Sequence, residues 1–419
     1  MKIAVVGGGS TYTPELMEGI GAWALEPGGP DTVTLVDVDR DRQDVVAGFA
    51  RRMLAHSGSP VALEATTDLR TGLAGADFVV IQIRVGGQAG RHQDILLGLR
   101  HGLIGQETTG VGGLAKALRS IPAVLDIVKV AKEVAPDAWV VNFTNPAGMV
   151  TEAIMNHGTP RAVGLCNVPR ELQIDIASHL KVQEQDIVLD WIGLNHLGWI
   201  RKILIEGKDV LPDVLQLLET PGGPANIPEI SYPKGFLRAL GMLPSSYVRY
   251  YYETERMLDG IRSSPLTRAQ EVARIEEELL ALYRNEEIVE KPALLSERGG
   301  AWYSRVACDV MRALASEEGA VHIVNTLNRG VIPTLPDDAS VEVRCRIDRT
   351  GVTPLPLDPP EERIGGLIQQ VKAYERLGVR AAVAGDRDAM LMALNAHPLV
   401  PSATVASRVA AEILERGLI

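Results

Sequence analysis

The chain has 419 residues, 42 of them basic and 53 acidic, for a formal charge of −11. That length supports two or three folding units, and 46 % apolar residues are enough to exclude disorder as the dominant state. An acidic balance without Lys/Arg clusters argues against nucleic-acid and anionic-membrane partners, which both require a basic footprint, and leaves room for a small anionic substrate in a local basic pocket.

In chain order, Lys2 is followed at once by IAVVGGG, too short and too glycine-rich for the apolar region of a signal peptide. The runs KIAVVG (2–7), TVTLVD (32–37), FVVIQI (78–83), AWVVNF (138–143) and RAVGLC (161–166) read as strands. Helical periodicity at about 14–25, 41–57 and 114–134 separates the first four. This alternation predicts a Rossmann-like, doubly wound parallel sheet over residues 1–165, with ligands bound at the carboxyl edge of its strands. Beyond residue 165 the rhythm changes. A helix near 170–181 precedes strand-like DWIGLNHLGWI and KILIEG, a Pro/Gly-rich stretch at 221–235 and an amphipathic surface helix at 268–284. Two strand-like runs, VHIVNTL and VEVRCRI, a Pro-rich turn segment at 352–360 and helices near 361–377 and 402–416 complete the chain. Residues 166–419 are therefore expected to form a mixed α+β domain that completes a site begun by the first. No window approaches the 18 apolar residues of a membrane span.

The chemistry-bearing residues sit at predicted strand ends. In GGGSTY (7–12), between a strand and a helix, Gly7 and Gly9 fit the first two glycines of a dinucleotide loop, with Ser10 and Thr11 in the same loop and Tyr12 at the third glycine position. Asp37 ends the second strand, where a carboxylate can hold a ribose diol or simply cap a turn; Arg40 nearby leaves a 2′-phosphorylated cofactor open. VVNFTNPAG places Asn142 and Asn145 past the fourth strand, as sugar-binding amides or as turn caps, and IGQETTGVGG (104–113) is a second glycine-rich loop, expected at a strand-to-helix connection. Cys166, Cys308 and Cys345 are odd in number and lie outside any CxxC pattern, which argues against disulfides and a zinc ribbon and favours a reducing cytoplasm. Cys166 in GLCNVP and His196 in GLNHLGW, thirty residues apart, are either ordinary core and turn residues or a two-ligand, open metal site. The string SSYVRYYYETERM gathers Tyr247, Tyr250, Tyr251 and Tyr252 in a chain with only 4 % aromatic residues.

Taken together, KIAVVGGGSTYTPEL, GADFVVIQIRVGGQAGR, GLIGQETTGVGG, VVNFTNPAG, GLCNVP, GLNHLGW, SPLTRAQEV, HIVNTLNRG and NAHPL resemble, in order and nearly end to end, the NAD- and metal-dependent glycoside hydrolases of family four, especially the 6-phospho-β-glucosidase branch. The resemblance implies that Gly7, Gly9, Ser10, Thr11 and Asp37 bind NAD. It implies that Cys166 and His196 hold a divalent metal, typically Mn2+, that Tyr247 is the catalytic base, and that Arg91, Asn145, Asn167 and Arg268 bind substrate. The α-glucoside branch carries an aspartate acid after the metal cysteine; Asn167 in that place favours β-glycosides and leaves the leaving-group acid unassigned. The implied reaction is hydrolysis of a β-glycoside or 6-phospho-β-glycoside through oxidation at C3, deprotonation at C2, elimination of the aglycone, water addition and re-reduction, an exception to the two-carboxylate rule. A homodimer or homotetramer is implied as well. The rival readings are an NAD-dependent 2-hydroxy-acid dehydrogenase, which leaves Cys166, His196 and the tyrosines unexplained, and a non-catalytic NAD- or sugar-binding protein.

Overall fold

Strands buried on both faces of a sheet must be apolar along their length, and KIAVV, TVTLV, FVVI and WVVN satisfy that condition. The computed structural model describes residues 1–218, 232–299 and 302–419. In it, six parallel strands, β1 (Lys2–Val6), β2 (Thr32–Val36), β3 (Ala62–Thr66), β4 (Phe78–Ile81), β5 (Trp139–Asn142) and β6 (Ala162–Gly164), lie in the order β3-β2-β1-β4-β5-β6. This is the strand order of the doubly wound dinucleotide fold. The edge strand β3, with sequence ALEAT, is partly exposed along its whole length and carries no apolar run for the sequence to betray.

A second, antiparallel sheet is built from β7 (Ile187–Leu194), β8 (Leu197–Ile205), β9 (Lys208–Asp209) and β10 (Leu243–Pro244). The run DWIGLNHLGWI is thus a hairpin, folded at the two-residue turn Asn195–His196. Three more strands, β11 (Ala320–Leu327), β12 (Ser340–Asp348) and β13 (Gly351–Pro354), return to the first sheet and extend it antiparallel to nine strands. The junction is a single register point, Asn325 of β11 opposite Gly164 of β6. One sheet therefore takes strands from both sides of residue 165, and β13 runs into the stretch expected as a Pro-rich turn, overlapping it at residues 352–354.

The helix Gly110–Val134 buries Leu114, Leu118, Ile121 and Val128 in the main core and meets the long helix Glu362–Ala384. Two helical features depart from expectation. The loop at 104–113 joins helix to helix, because the chain first forms the helix Gly87–Arg100 after β4. The helix Arg268–Arg284, opened by a Thr267/Gln270 capping box, packs against helices Arg40–His56 and Gly87–Arg100 and buries Glu276 from its acidic side. Burial of that carboxylate is tolerated because Arg42, Gln88 and Arg298 all bond to it. Of the Pro/Gly-rich stretch at 221–235, residues 221–231 lie outside the described residues.

Candidate active site

A cleft of about 1540 Å³ opens at the carboxyl ends of the parallel strands. The glycine loop forms one wall. Gly7 has φ +90°, and a Cβ there would stand 2.9 Å from the Gln82 carbonyl oxygen; a Cβ at Gly9 would stand 2.9 Å from Asp37 Oδ2. Only glycine lets this loop lie so close to the strand ends. The Gly7 and Gly8 N–H groups both donate to the Val36 carbonyl at 2.8 and 3.0 Å, while Asp37 accepts from Gly9 N–H at 2.8 Å and from Asp39 N–H at 3.0 Å. Gly7, Gly9, Ser10 and Asp37 line the cleft. Thr11 does not: its side chain is buried, and its carbonyl accepts the Tyr283 hydroxyl at 2.8 Å, which ties the loop to the helix Arg268–Arg284. Tyr12, at the third glycine position, turns inward to meet Tyr303 edge-on, with Arg298 over its face.

The facing wall is assembled from distant segments. His196 sits in the β7–β8 turn with φ +60°, its Nδ1 2.7 Å from Thr108 Oγ1 and its ring stacked 3.7 Å from that of Tyr247. Tyr247 is brought there because β10 pairs with β8 and Ser245 N–H donates to the Gly198 carbonyl at 2.9 Å, anchoring the short turn Ser246–Val248. Burial dominates the electrostatics of this wall. It pulls the His196 pKa down to about 3, with Glu107 opposing, and raises the Tyr247 phenol, helped by Cys166 and Tyr250 and opposed by Arg91. Burial, with Glu342, also pushes the Cys166 thiol well up. Cys166 is a buried free thiol next in sequence to Asn167, which lines the cleft, and the Asn195 side chain works against the rise in its pKa.

The remaining expected residues line the same cleft. Arg91 pairs with Glu107 at 3.0 Å. Asn145 accepts from Ala147 N–H at 3.3 Å, and Asn167 donates to Glu171 at 2.6 Å. Arg268 is half-exposed and engages Glu271 and the carbonyls of Glu297 and Arg298. Asn142, by contrast, is a buried turn cap that bonds to Thr144 and Thr151.

Two family models cover almost the whole chain: Family 4 glycosyl hydrolase matches residues 2–182, and the Family 4 glycosyl hydrolase C-terminal domain matches residues 191–400. The chain belongs to the family 4 glycosyl hydrolases. Over 99 % of its length it is 39 % identical to the 6-phospho-β-glucosidase of Escherichia coli (strain K12), covering 94 % of that protein. It is 31 % identical to the phospho-α-glucosidase of Clostridium acetobutylicum, again over 99 % of this chain and 97 % of the relative. The Thermotoga maritima 6-phospho-β-glucosidase, solved with manganese, NAD+ and glucose-6-phosphate, superposes with a TM-score of 0.91 at 36 % identity, covering 100 % of this chain and 99 % of that one.

This family 4 cleft also contains a group that the sequence reading passed over. Glu107 is buried among three cations, Arg84, Arg91 at 3.0 Å and Lys116, and they outweigh burial to hold its carboxyl well below the usual range. Lys116 is pulled down to about 7 by burial and by Arg84, against the pull of Glu107. Glu107 and Arg84 lie inside strings quoted for the resemblance, but no spacing rule joins residues 84, 91, 107 and 116.

Proposed function

We propose that this chain hydrolyses 6-phospho-β-glycosides with NAD+ and a divalent metal, Mn2+ first among the candidates. The observation that carries the reading is the convergence of two walls on one cleft: the glycine loop with Asp37 on one side, and His196 stacked on Tyr247, whose phenol feels the buried Cys166, on the other. Greater identity to the β-glucosidase than to the α-glucosidase, together with Asn167 after Cys166, favours β-glycosides. The relative's glucose-6-phosphate favours a phosphorylated sugar, for which Arg91 and Arg268 supply positive charge. Neither a dehydrogenase nor a passive binding protein accounts for the buried Cys166, His196 and Tyr247 together.

The residues present suit the metal. His196 is neutral, and with Thr108 accepting from Nδ1–H its Nε2 keeps a lone pair; Cys166 is a free thiol whose proton a dication displaces. Among the described residues no three His, Cys, Asp or Glu side chains converge into a metal-binding group, so these two would hold the ion and leave its other positions to sugar oxygens. When bound, NAD+ supplies a hydride acceptor for C3 and the metal a Lewis acid for the C2 and C3 oxygens. Tyr247, held in a fixed plane by the His196 ring, would take the C2 proton as a phenolate; burial alone keeps it a neutral phenol, so its own proton must first leave under the pull of the adjacent dication. Gly7, Gly9, Ser10 and Asp37 seat the dinucleotide, with Thr11 anchoring their loop from behind, and Asn145 and Asn167 orient the sugar. In this reading residues 1–165 are the dinucleotide unit and 166–419 the metal and substrate unit, assembled as a homodimer or homotetramer. Three free cysteines suit a reducing cytoplasm, and no described helix is long and apolar enough to cross a membrane.

The test is turnover of a panel of 4-nitrophenyl glycosides, with and without 6-phosphate, in D2O containing NAD+ and Mn2+. Deuterium at C2 of the product, with the 6-phospho-β-glycosides preferred, is expected. Cleavage without C2 exchange would overturn the mechanism, and net NADH formation from a 2-hydroxy acid without glycoside cleavage would favour the dehydrogenase.

A further inference from the structure

We infer that Glu342, a buried carboxylate on β12, is a positioning residue that aligns the Cys166 and His196 segments for metal binding. The inference rests on the reading of those two residues as ligands.

Glu342 lies directly opposite Asn325 in the β11–β12 ladder, and Asn325 lies opposite Gly164, two residues before Cys166. Its Oε1 accepts two amides at 3.1 Å each, one from Asn325 and one from Asn195. Asn195 is the neighbour of His196 in the hairpin turn. One carboxylate oxygen therefore ties the strand end that delivers the thiol to the turn that delivers the imidazole. Asn325 strengthens the tie by also donating to the Gly164 carbonyl at 3.4 Å.

A carboxylate is an expensive choice at a site that is only 1 % exposed. The groups acting on its charge are Asn195, Asn325, the Trp191 indole and the Glu375 carboxylate, none of them cationic, and burial drives its pKa up to about 7. An apolar residue at position 342 would avoid that desolvation. What an apolar residue cannot do is accept two amides at once. Partners of this kind, one bond removed from the ligands, typically change metal affinity 10- to 100-fold.

The experiment is Mn2+ titration of metal-stripped protein, with free ion read by electron paramagnetic resonance and NAD+ affinity measured in parallel. Glu342→Ala is expected to weaken Mn2+ about 10- to 100-fold and leave NAD+ affinity within about twofold. Glu342→Gln, which keeps an oxygen for the two amides, is expected to bind Mn2+ within about threefold of the parent. Parental affinity in Glu342→Ala, or a Glu342→Gln as weak as the alanine variant, would overturn the role. Should Glu342→Ala fail to fold, Asn195→Ala cuts the link while leaving β12 intact and is expected to match its predicted loss; parental affinity there overturns the role equally. Cys166→Ser separates the two levels. If it keeps parental Mn2+ affinity, the ligand reading fails; if it loses Mn2+ while Glu342→Ala does not, only the positioning role fails.

Discussion

On the wall where we propose the dinucleotide, the contact that shapes the site joins Gly9 to Asp37, 28 residues apart, through a backbone N–H. On the wall where we propose the metal, the side chains at 107, 108, 166, 195, 196, 247 and 342 meet only after β7 and β8 have paired, β10 has joined β8 and β11 has reached β6. The first wall is a conformation of the main chain, and any sequence with small residues at the right turn can make it. The second is a set of buried side chains whose protonation is displaced by their surroundings, and it exists only when the whole fold does. Shape suffices to seat a cofactor, whereas proton transfer and metal binding require a dry, charged environment.

If that contrast holds, damage to the two walls separates in kinetics. Exhaustive chelation should produce the largest effect, loss of all measurable glycosidase activity with NAD+ affinity retained, reversed by added Mn2+; full activity after chelation would remove the metal from the mechanism. Tyr247→Phe comes next, with an expected fall of about 10²–10⁴ in kcat and in C2 proton exchange while Mn2+ and NAD+ bind normally. Exchange at the parental rate would move the base to Tyr250, which lines the same cleft. On the other wall Asp37→Ala removes the acceptor for two loop N–H groups. Hydrogen bonds to a charged group are worth about 1.5–3 kcal/mol, so NAD+ affinity should weaken roughly 10- to 100-fold, with kcat near the parental value at saturating cofactor. A drop in kcat instead would show that the walls are not separable.

The same contrast explains what could be read from the chain. β1, β2, β4 and β5 were legible because both their faces are buried, and the glycine loop because its constraints are local. β3 was not, since an exposed edge needs no apolar run, and the 104–113 loop was given the wrong preceding element because GQAGRHQDILLGLR has little helical amphipathicity. On the metal wall Cys166, His196 and Tyr247 were visible to residue chemistry only as open alternatives, and resemblance to a family gave them roles. Glu342 was invisible. VEVRCRI alternates as though glutamate faced solvent, but β12 packs against β7 and Glu342 is buried. Glu107 and Lys116 were missed for a related reason: they are nine residues apart, and the pair matters because Arg84 and Arg91 arrive from another segment.

The smallest expected effect tests whether the loop that carries Glu107 and Thr108 is clamped by the far end of the chain. His397 is buried, its Nε2 3.1 Å from Gly110 N and 3.2 Å from Thr109 Oγ1, and Tyr374 donates to the Gly110 carbonyl at 2.9 Å. Burial lowers the His397 pKa from about 6.5 to about 3, so below pH 6.5 the unfolded chain binds a proton that the folded chain refuses. The stability from neutral His397 is therefore complete above pH 6.5 and is lost as the pH falls toward 3. His397→Gln should cost about 1–3 kcal/mol at pH 7 through the buried bonds it loses. The gap between parent and variant should then close at up to about 1.4 kcal/mol per pH unit below 6.5, because glutamine has no proton to gain. Urea unfolding of both proteins at pH 7, 6 and 5 measures this, and a gap that stays constant across the range would mean that His397 does not hold the loop as a neutral ring.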